Sequence, residues 1–147
     1  MATAVTAKYQ ELILEVEFTA SSGVYTPVCG LIDVTINRTA NVDTAEIPDC
    51  DDESLPLSVE RQVRSIEVTI SGTGVWAQSS HGGMMDWFYS SATKNVRVRN
   101  TKASTGDTQI EYGPALLTNL SNARTKGQKI SAEISIEFDG VPSRTDA

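Results

Sequence analysis

The sequence predicts a mainly β fold: a two-sheet β-sandwich or partly rolled barrel with one short flanking α-helix and a long arm between its second and third strands. Apolar and polar residues alternate with a period of two in five segments, the signature of strands with one buried and one wet face. A single segment, residues 79–92, changes to helical spacing. Between two alternating segments lies "DTAEIPDCDDESLP", residues 43–56, with six carboxylates and no Lys or Arg.

The elements follow in order. In "ELILEVEF" (11–18), Leu12, Leu14, Val16 and Phe18 share the inner face, and Glu11, Glu15 and Glu17 share the outer face with Ile13. "TASSGVYTP" (19–27) reads as a loop. In "LIDVTINRT" (31–39), Ile32, Val34 and Ile36 alternate with Asp33, Thr35 and Asn37. In "SIEVTISGTGVW" (65–76), Ile66, Val68 and Ile70 alternate with Glu67, Thr69 and Ser71, and Gly72 and Gly74 mark a bulge or a close backbone approach. "SSHGGMMDWFYSSA" (79–92) places Met84, Met85, Trp87 and Phe88 on one helical face. "NVRVRN" (95–100) alternates Val96 and Val98 with arginines. "DTQIEYGPALLTNLS" (107–121) is a strand interrupted at Gly113-Pro114, because Pro cannot donate to a ladder. "KISAEISIEFDG" (129–140) buries Ile130, Ala132, Ile134, Ile136 and Phe138 and exposes Glu133, Ser135 and Glu137. Residues 140–147 read as a mobile tail.

Residues 1–147 suit a single domain, long enough to bury roughly 68–70% of the unfolded surface without a metal or disulfide staple. The net charge is -7, and setting the six acids of 43–56 aside leaves 13 of the 19 acids against 12 Lys and Arg. A near-neutral body with one acidic segment lacks the basic footprint of a nucleic-acid binder. No run approaches the ~20 apolar residues of a membrane span, and the first residues carry no leader pattern. The chain is therefore expected to fold in a cytoplasm, with Cys29 and Cys50 as free thiols.

Candidate chemistry is sparse. "DCDDESLPLSVE" spaces Asp49, Asp51, Glu53 and Glu60 like a calcium loop, but Ser54 stands where the sharp turn needs Gly. His81 has no nucleophile or orienting partner around it in sequence. Glu133 and Glu137 lie roughly 13 Å apart along one strand face, beyond the ~5–9.5 Å of a paired-carboxylate hydrolase. Neither catalytic residues, metal ligands nor a cofactor are expected. Trp76, Trp87 and Tyr89 could stack sugar rings only if they were exposed together.

The order of elements resembles the tail tube (major tail) proteins of siphophage-type bacteriophages and gene transfer agents. The resemblance spans residues 10–140. It runs from "VCGLIDVTI" through the arm "NRTANVDTAEIPDCDDESLP" to "VRSIEVTISGTGVW", the helix "MMDWFYSSA" and "NVRVRN". It closes with "YGPALLTNLSNARTKGQKISAEISIEFDG", which with "ISGTG" is its more specific part. The resemblance implies a structural, non-enzymatic subunit of stacked hexameric rings whose lumen conducts DNA without binding it. Its partners would be further copies of itself and the tail terminator, distal tail and tape-measure proteins, with no membrane involved. Its place would be the virion tail, assembled in the bacterial host cytoplasm.

For the acidic segment the resemblance implies an inter-ring arm carried by Asp43, Glu46, Ile47, Pro48, Asp49, Asp51, Asp52, Glu53 and Leu55. Basic counterparts would come from Arg61, Arg64, Arg97, Arg99, Arg124, Lys126 and Lys129. Alternation turns Asp33, Thr35, Glu67, Thr69, Glu133, Ser135 and Glu137 away from the core, and the resemblance makes them lumen-lining candidates. Two alternatives stand beside this reading: the tube protein of a type VI-like or contractile injection machine, and a carbohydrate-binding β-sandwich module.

Overall fold

The computed structural model describes residues 1–147 apart from Met1, Val5, Ala7 and Ala20, and apart from the side chains of Tyr9, Ser79 and Ser80. After a short 3-10 turn the strands are β1 (Leu12–Val16), β2 (Thr26–Pro27), β3 (Leu31–Ile47), β4 (Ser58–Val75), β5 (Lys94–Asn100), β6 (Thr108–Ala123), β7 (Ser131–Phe138) and β8 (Ser143–Asp146). Helix α1 (Gln78–Ser90) connects β4 to β5. The strands form one antiparallel sheet in the order β2-β1-β5-β6-β7-β4-β3, with β8 added on β6.

The halves expected as separate sheets are one sheet because β6 belongs to both. Residues 110–115 pair with β5, and residues 115–123 pair with β7. The change of partner falls at Gly113-Pro114-Ala115, where the sequence reading placed an interruption. The register slip itself comes later, between Leu117 and Asn119. Bending there folds the β1-β5 half over the β4-β7 half. Leu14, Val16, Val96 and Val98 from one half then pack in one core with Ile70, Ile134 and Ile136 from the other. The sheet stays open as a partly rolled barrel. Arg38 on β3 pairs across the opening with Glu111 on the first part of β6.

Helix α1 plugs the core with Met84 and Trp87, and Trp87 Nε1–H donates to the Ala92 carbonyl at 3.0 Å. Burying an indole with its one donor satisfied avoids the desolvation cost of a lost hydrogen bond. Phe88, placed on the buried side by spacing alone, is partly exposed and meets Tyr89 edge-on.

Leu12, Ile66 and Ile130, expected on the buried face, are 43%, 46% and 42% exposed, Ile130 because it precedes β7. Three further expectations change. Residues 140–147, read as a mobile tail, contain β8, which pairs with β6 at Tyr112↔Ser143 and Thr108↔Asp146. Ile32 is 57% exposed instead of buried, because a bulge between Leu31 and Asp33 lets Leu31 pack on the core in its place. That bulge lies opposite Gly74, where an added Cβ would fall 2.1 Å from the Gly30 carbonyl oxygen. The close backbone approach expected in "SGTGVW" is this contact.

The third change concerns Glu15 and Glu17, expected on a wet face but only 3% and 5% exposed. Residues 21–27 fold back over them. Glu17 accepts hydrogen bonds from the Ser21 and Gly23 amides and from Asn95 Nδ2. Glu15 lies 3.0 Å from Arg97 and 3.2 Å from Arg99, and Tyr25 covers the Arg97 guanidinium with its ring at 4.3 Å. Burial is the first cause of the raised Tyr25 pKa, with the Glu17 charge second. A buried carboxylate is tolerated only when such partners replace its water.

Replacing Trp87 with Ala is expected to cost about 3–5 kcal/mol, because the indole leaves a cavity that the rolled sheet cannot collapse into. Urea unfolding would register it. Leu12→Ala, at a 43% exposed position on the same predicted inner face, should change stability by well under half as much.

Candidate functional site

The outer face of the β3-β4-β7-β6 half is polar apart from Leu116 at its β6 edge. Asp33, Thr73, Glu133 and Ser121 form one row across the four strands. Thr35, Ser71, Ser135 and Asn119 form the next, and Asn37, Thr69, Glu137 and Leu116 a third. Glu67 follows, opposite Thr39. The structure therefore gathers all seven alternating candidates, Asp33, Thr35, Glu67, Thr69, Glu133, Ser135 and Glu137, on one face. It adds Asn37, Thr39, Ser71, Thr73, Asn119 and Ser121, whose membership depends on register between strands distant in sequence. Four carboxylates stand on these positions with no Lys or Arg among them. Both lateral edges of this half lack a further ladder partner among the described residues: from Ile32 on, β3 pairs only with β4, and residues 116–123 of β6 pair only with β7.

The arm differs from the expected loop. β3 runs to Ile47 and β4 starts at Ser58, so most of the segment is a two-stranded ribbon, and only the tip of 43–56 is irregular. Pairing between β4 and β7 begins at Thr69, and Arg38 and Ile66 still face Glu111 and Arg144 of the body, so residues 41–47 and 58–65 project beyond it. Seven residues at about 3.3 Å each reach roughly 23 Å.

The ribbon has two unlike faces. Asn41 pairs with Ser65 and Val42 with Val63, which leaves Arg64 as an unpaired bulge residue. The bulge shifts the parity of β4, so Val59, Val63 and Ile66 share the face of Val42, the same face that lines the core further back. These four side chains are 46–52% exposed. A signal for the bulge was present in "SVERQVRSIEV": Val59 and Val63 keep even spacing, and Ile66 follows after three residues.

At the tip, Asp49 Oδ1 accepts the Asp51 and Asp52 amides at 2.8 and 3.0 Å, and Asp52 accepts the Ser54 amide at 3.0 Å. These bonds hold the Asp49 carboxyl below its ordinary value, and the Ser54 hydroxyl and amide do the same for Asp52. Such Asx turns satisfy backbone donors locally and need no metal. No cluster of three His, Cys, Asp or Glu side chains suited to a metal occurs among the described residues.

A model of the phage tail tube protein family matches residues 6–144. The chain belongs to the phage tail tube protein family. The comparison with curated proteins finds no match. Among solved structures, the tail of an empty gene transfer agent particle refined with C6 symmetry is similar with a TM-score of 0.75 at 18% identity, covering 95% of this chain and 99% of that one. The tail tube of SPP1 is similar with a TM-score of 0.70 at 10% identity, over 97% and 81% of the two chains. The anti-feeding prophage cap, a tube-terminating cap, is similar with a TM-score of 0.62 at 13% identity, over 100% and 95%. At these identities the likenesses establish the fold.

As a tail tube protein, the chain is a structural component of the virion tail. Its remaining sequence candidates sort by position. Arg97 and Arg99 are engaged by Glu15, and Arg61 and Arg64 lie on the arm itself, Arg64 at 3.8 Å from Asp43. Arg124, Lys126 and Lys129 sit exposed on the loop between β6 and β7. His81 packs edge-on against Trp76 at 4.2 Å between ring centres. Trp87 is buried, so Trp76, Trp87 and Tyr89 make no common sugar platform.

The tip of the arm should loosen in acid. The Asp49 and Asp52 pKa values lie below the ordinary 3.8, so their contribution is present above that value and disappears as pH falls through the lower folded values. Amide chemical shifts of Asp51, Asp52 and Ser54 should move toward random-coil positions in that window, while those of β7 hold.

Proposed function

We propose that the protein forms hexameric rings that stack into a tube, and that the polar face of the β3-β4-β7-β6 half lines a lumen through which DNA passes. The observation that carries this is the combination of two edges that lack a further ladder partner among the described residues with one face that is polar apart from Leu116. A four-stranded half-sheet that ends in open strands on both sides invites addition of another strand at each. Joining β3 of one copy to residues 116–123 of β6 in the next satisfies both edges, and closure of the ring leaves none exposed. Both strands keep the same face outward, so Asp33, Thr35 and Asn37 would continue the neighbour's Asn119 and Ser121.

The composition of that face suits a conduit. Each phosphate contact by Lys or Arg adds affinity and would slow passage. A wall of Asp33, Glu67, Glu133 and Glu137 among hydroxyls repels phosphate and remains wettable. The projecting ribbon would serve as the inter-ring arm, with Ile47 and Leu55 among its apolar contacts. Assembly in the bacterial host cytoplasm, and meetings with tail terminator, distal tail and tape-measure proteins, belong to the same reading. It needs no catalytic role for any residue. The likeness to the anti-feeding prophage cap favours a second reading, a tube subunit of a contractile injection machine. The phage family match over residues 6–144 supports the first.

Electron microscopy of the purified protein should show six-fold rings and tubes. Sedimentation giving monomer alone at high concentration, across all salt conditions, would overturn the proposal.

The lumen assignment has its own test. Glu133→Lys with Glu137→Lys changes exposed positions and should leave assembly intact. The variant tubes should then retain double-stranded DNA in a salt-sensitive manner, and wild-type tubes should not. A tube map with Glu133 and Glu137 on the outer wall would exclude the assignment.

A further inference from the structure

The core side of the β3-β4-β7-β6 half is roofed at one edge and open at the other. Its core-facing rows run from β3 to β6 through Val34, Gly72, Ile134 and Leu120, and through Ile36, Ile70, Ile136 and Leu117. Helix α1 lies over the β6 end of both rows. His81 and Met84 share a small cavity with Leu120 and Ile134, and Met84 and Trp87 belong to one core cluster with Leu117. Over the β3 end there is instead an open cleft of about 450 Å³ between β1 and β3. Leu12, Val28, Ile32 and Val34 line it, and Leu12 and Ile32 are among the exposed large apolar side chains.

Helical periodicity fixes which way the rest of α1 faces. Each residue turns the side chain by about 100°, so with Met84 and Trp87 in the core the helix has two flanks. One holds Gly83, where an added Cβ would fall 2.9 Å from the Phe18 ring. The other holds Gly82, Met85 and Tyr89, with His81 and Phe88 between them and the core. His81 faces Leu120, so this second flank runs along residues 116–123 of β6 on the side away from Phe18. Phe88 and Tyr89 meet edge-on there, Tyr89 is 75% exposed, and an added Cβ at Gly82 meets nothing within 4 Å. The flank is thus an aromatic ridge beside an open glycine step.

We propose that within a ring the Met85-Tyr89 flank of α1 in one copy covers the cleft between β1 and β3 of its neighbour, packing on Leu12 and Ile32. This rests on the ring reading and gives the lateral contact a second layer. The occupant is a second copy by continuity with the edge pairing. When β3 is continued by residues 116–123 of the next β6 with the same face outward, Val34 and Ile36 of one copy come beside Leu120 and Leu117 of the next. The helix above those leucines then stands at the cleft above Val34. Each subunit lacks a roof at one edge and carries a helix with an exposed apolar flank at the other. Edge pairing uses backbone groups that any strand offers, so the selection of this chain by itself falls to the side chains of the second layer. Water leaves Tyr89, Met85, Leu12 and Ile32 together, which also strengthens the seam.

Ile32 and Met85 sit at opposite edges of the half-sheet, three strand spacings or about 14 Å apart. That exceeds the roughly 7 Å between Cα atoms that a disulfide spans. An Ile32→Cys, Met85→Cys variant in which the two native thiols are removed, Cys29→Ser and Cys50→Ser, therefore links only between copies. Mild oxidation of its rings should give linked species that grow to six subunits and stop, because each ring closes on itself. Linked species longer than one ring would mean a contact between rings and would overturn the proposal. Rings with no link would overturn it too, and the ring reading would stand.

Tyr89→Glu covers the case in which the thiol variant fails to assemble. At so exposed a position it should leave the urea midpoint of the subunit in place. It should also raise the concentration at which rings form about tenfold or more, because a charge is then pressed into an apolar cleft. Tyr89→Glu rings that form at the wild-type concentration refute the second layer while the ring reading stands. Wild-type protein that stays monomeric at every concentration refutes the ring reading and this inference together.

Discussion

The shape of this protein depends on one strand serving two partners. β6 leaves β5 and joins β7 at Ala115, and the sheet must turn with it. The turn brings Val96 and Val98 over Ile134 and Ile136 and creates the core. It also decides which surfaces stay wet. Each half has one face on the core, so the other face of the β3-β4-β7-β6 half is left for whatever lies outside. Rolling stops short of closure, because a cleft separates β1 from β3 and no strand ladder joins them among the described residues. A closed barrel would have no edges. This open one leaves β3 from Ile32 on and the second part of β6 without a further ladder partner among the described residues.

The two halves treat their outer faces differently. Over β1 and β5 residues 21–27 fold back and bury Glu15 and Glu17 among arginines, amides and the Tyr25 ring. A buried carboxylate with two guanidiniums is costly to disrupt, which ties the covering segment to the strands. Over β3, β4 and β7 there is no such cover among the described residues, and the charged side chains of Asp33, Glu67, Glu133 and Glu137 are exposed. One outer face is thereby made rigid and closed, and the other is an open polar wall.

The arm follows a different economy. A two-stranded ribbon of this length, isolated from a core, is marginal in water. Its apolar stripe continues the core face, since the Arg64 bulge corrects the parity that would otherwise turn Val59 and Val63 to the polar side. The tip is tied by Asx turns at Asp49 and Asp52. Such a segment holds half-exposed apolar side chains at a distance from the core.

The sequence by itself determined much of this architecture. Period-two alternation sets side-chain faces locally, so the main strands, the inward valines and isoleucines, and the shared polarity of Asp33, Glu67 and Glu133 were legible residue by residue. So were the helix around Trp87, the break at Gly113-Pro114, the glycine-marked approach at Gly74 and the acidity of 43–56. Tertiary structure alone decided what depends on contacts distant in the chain. The strand order that aligns Asp33 with Glu133 and Ser121 comes from register between segments up to a hundred residues apart. Glu15 and Glu17 looked solvated because alternation reports a face and is blind to what later folds over it. The last residues looked like a tail because Ser143–Asp146 has no alternation to read, and its ladder on β6 uses backbone groups that every residue carries. The acidic segment looked like a loop because charge repulsion is visible in sequence, whereas the β4 partner that extends β3 to Ile47 is supplied by the fold.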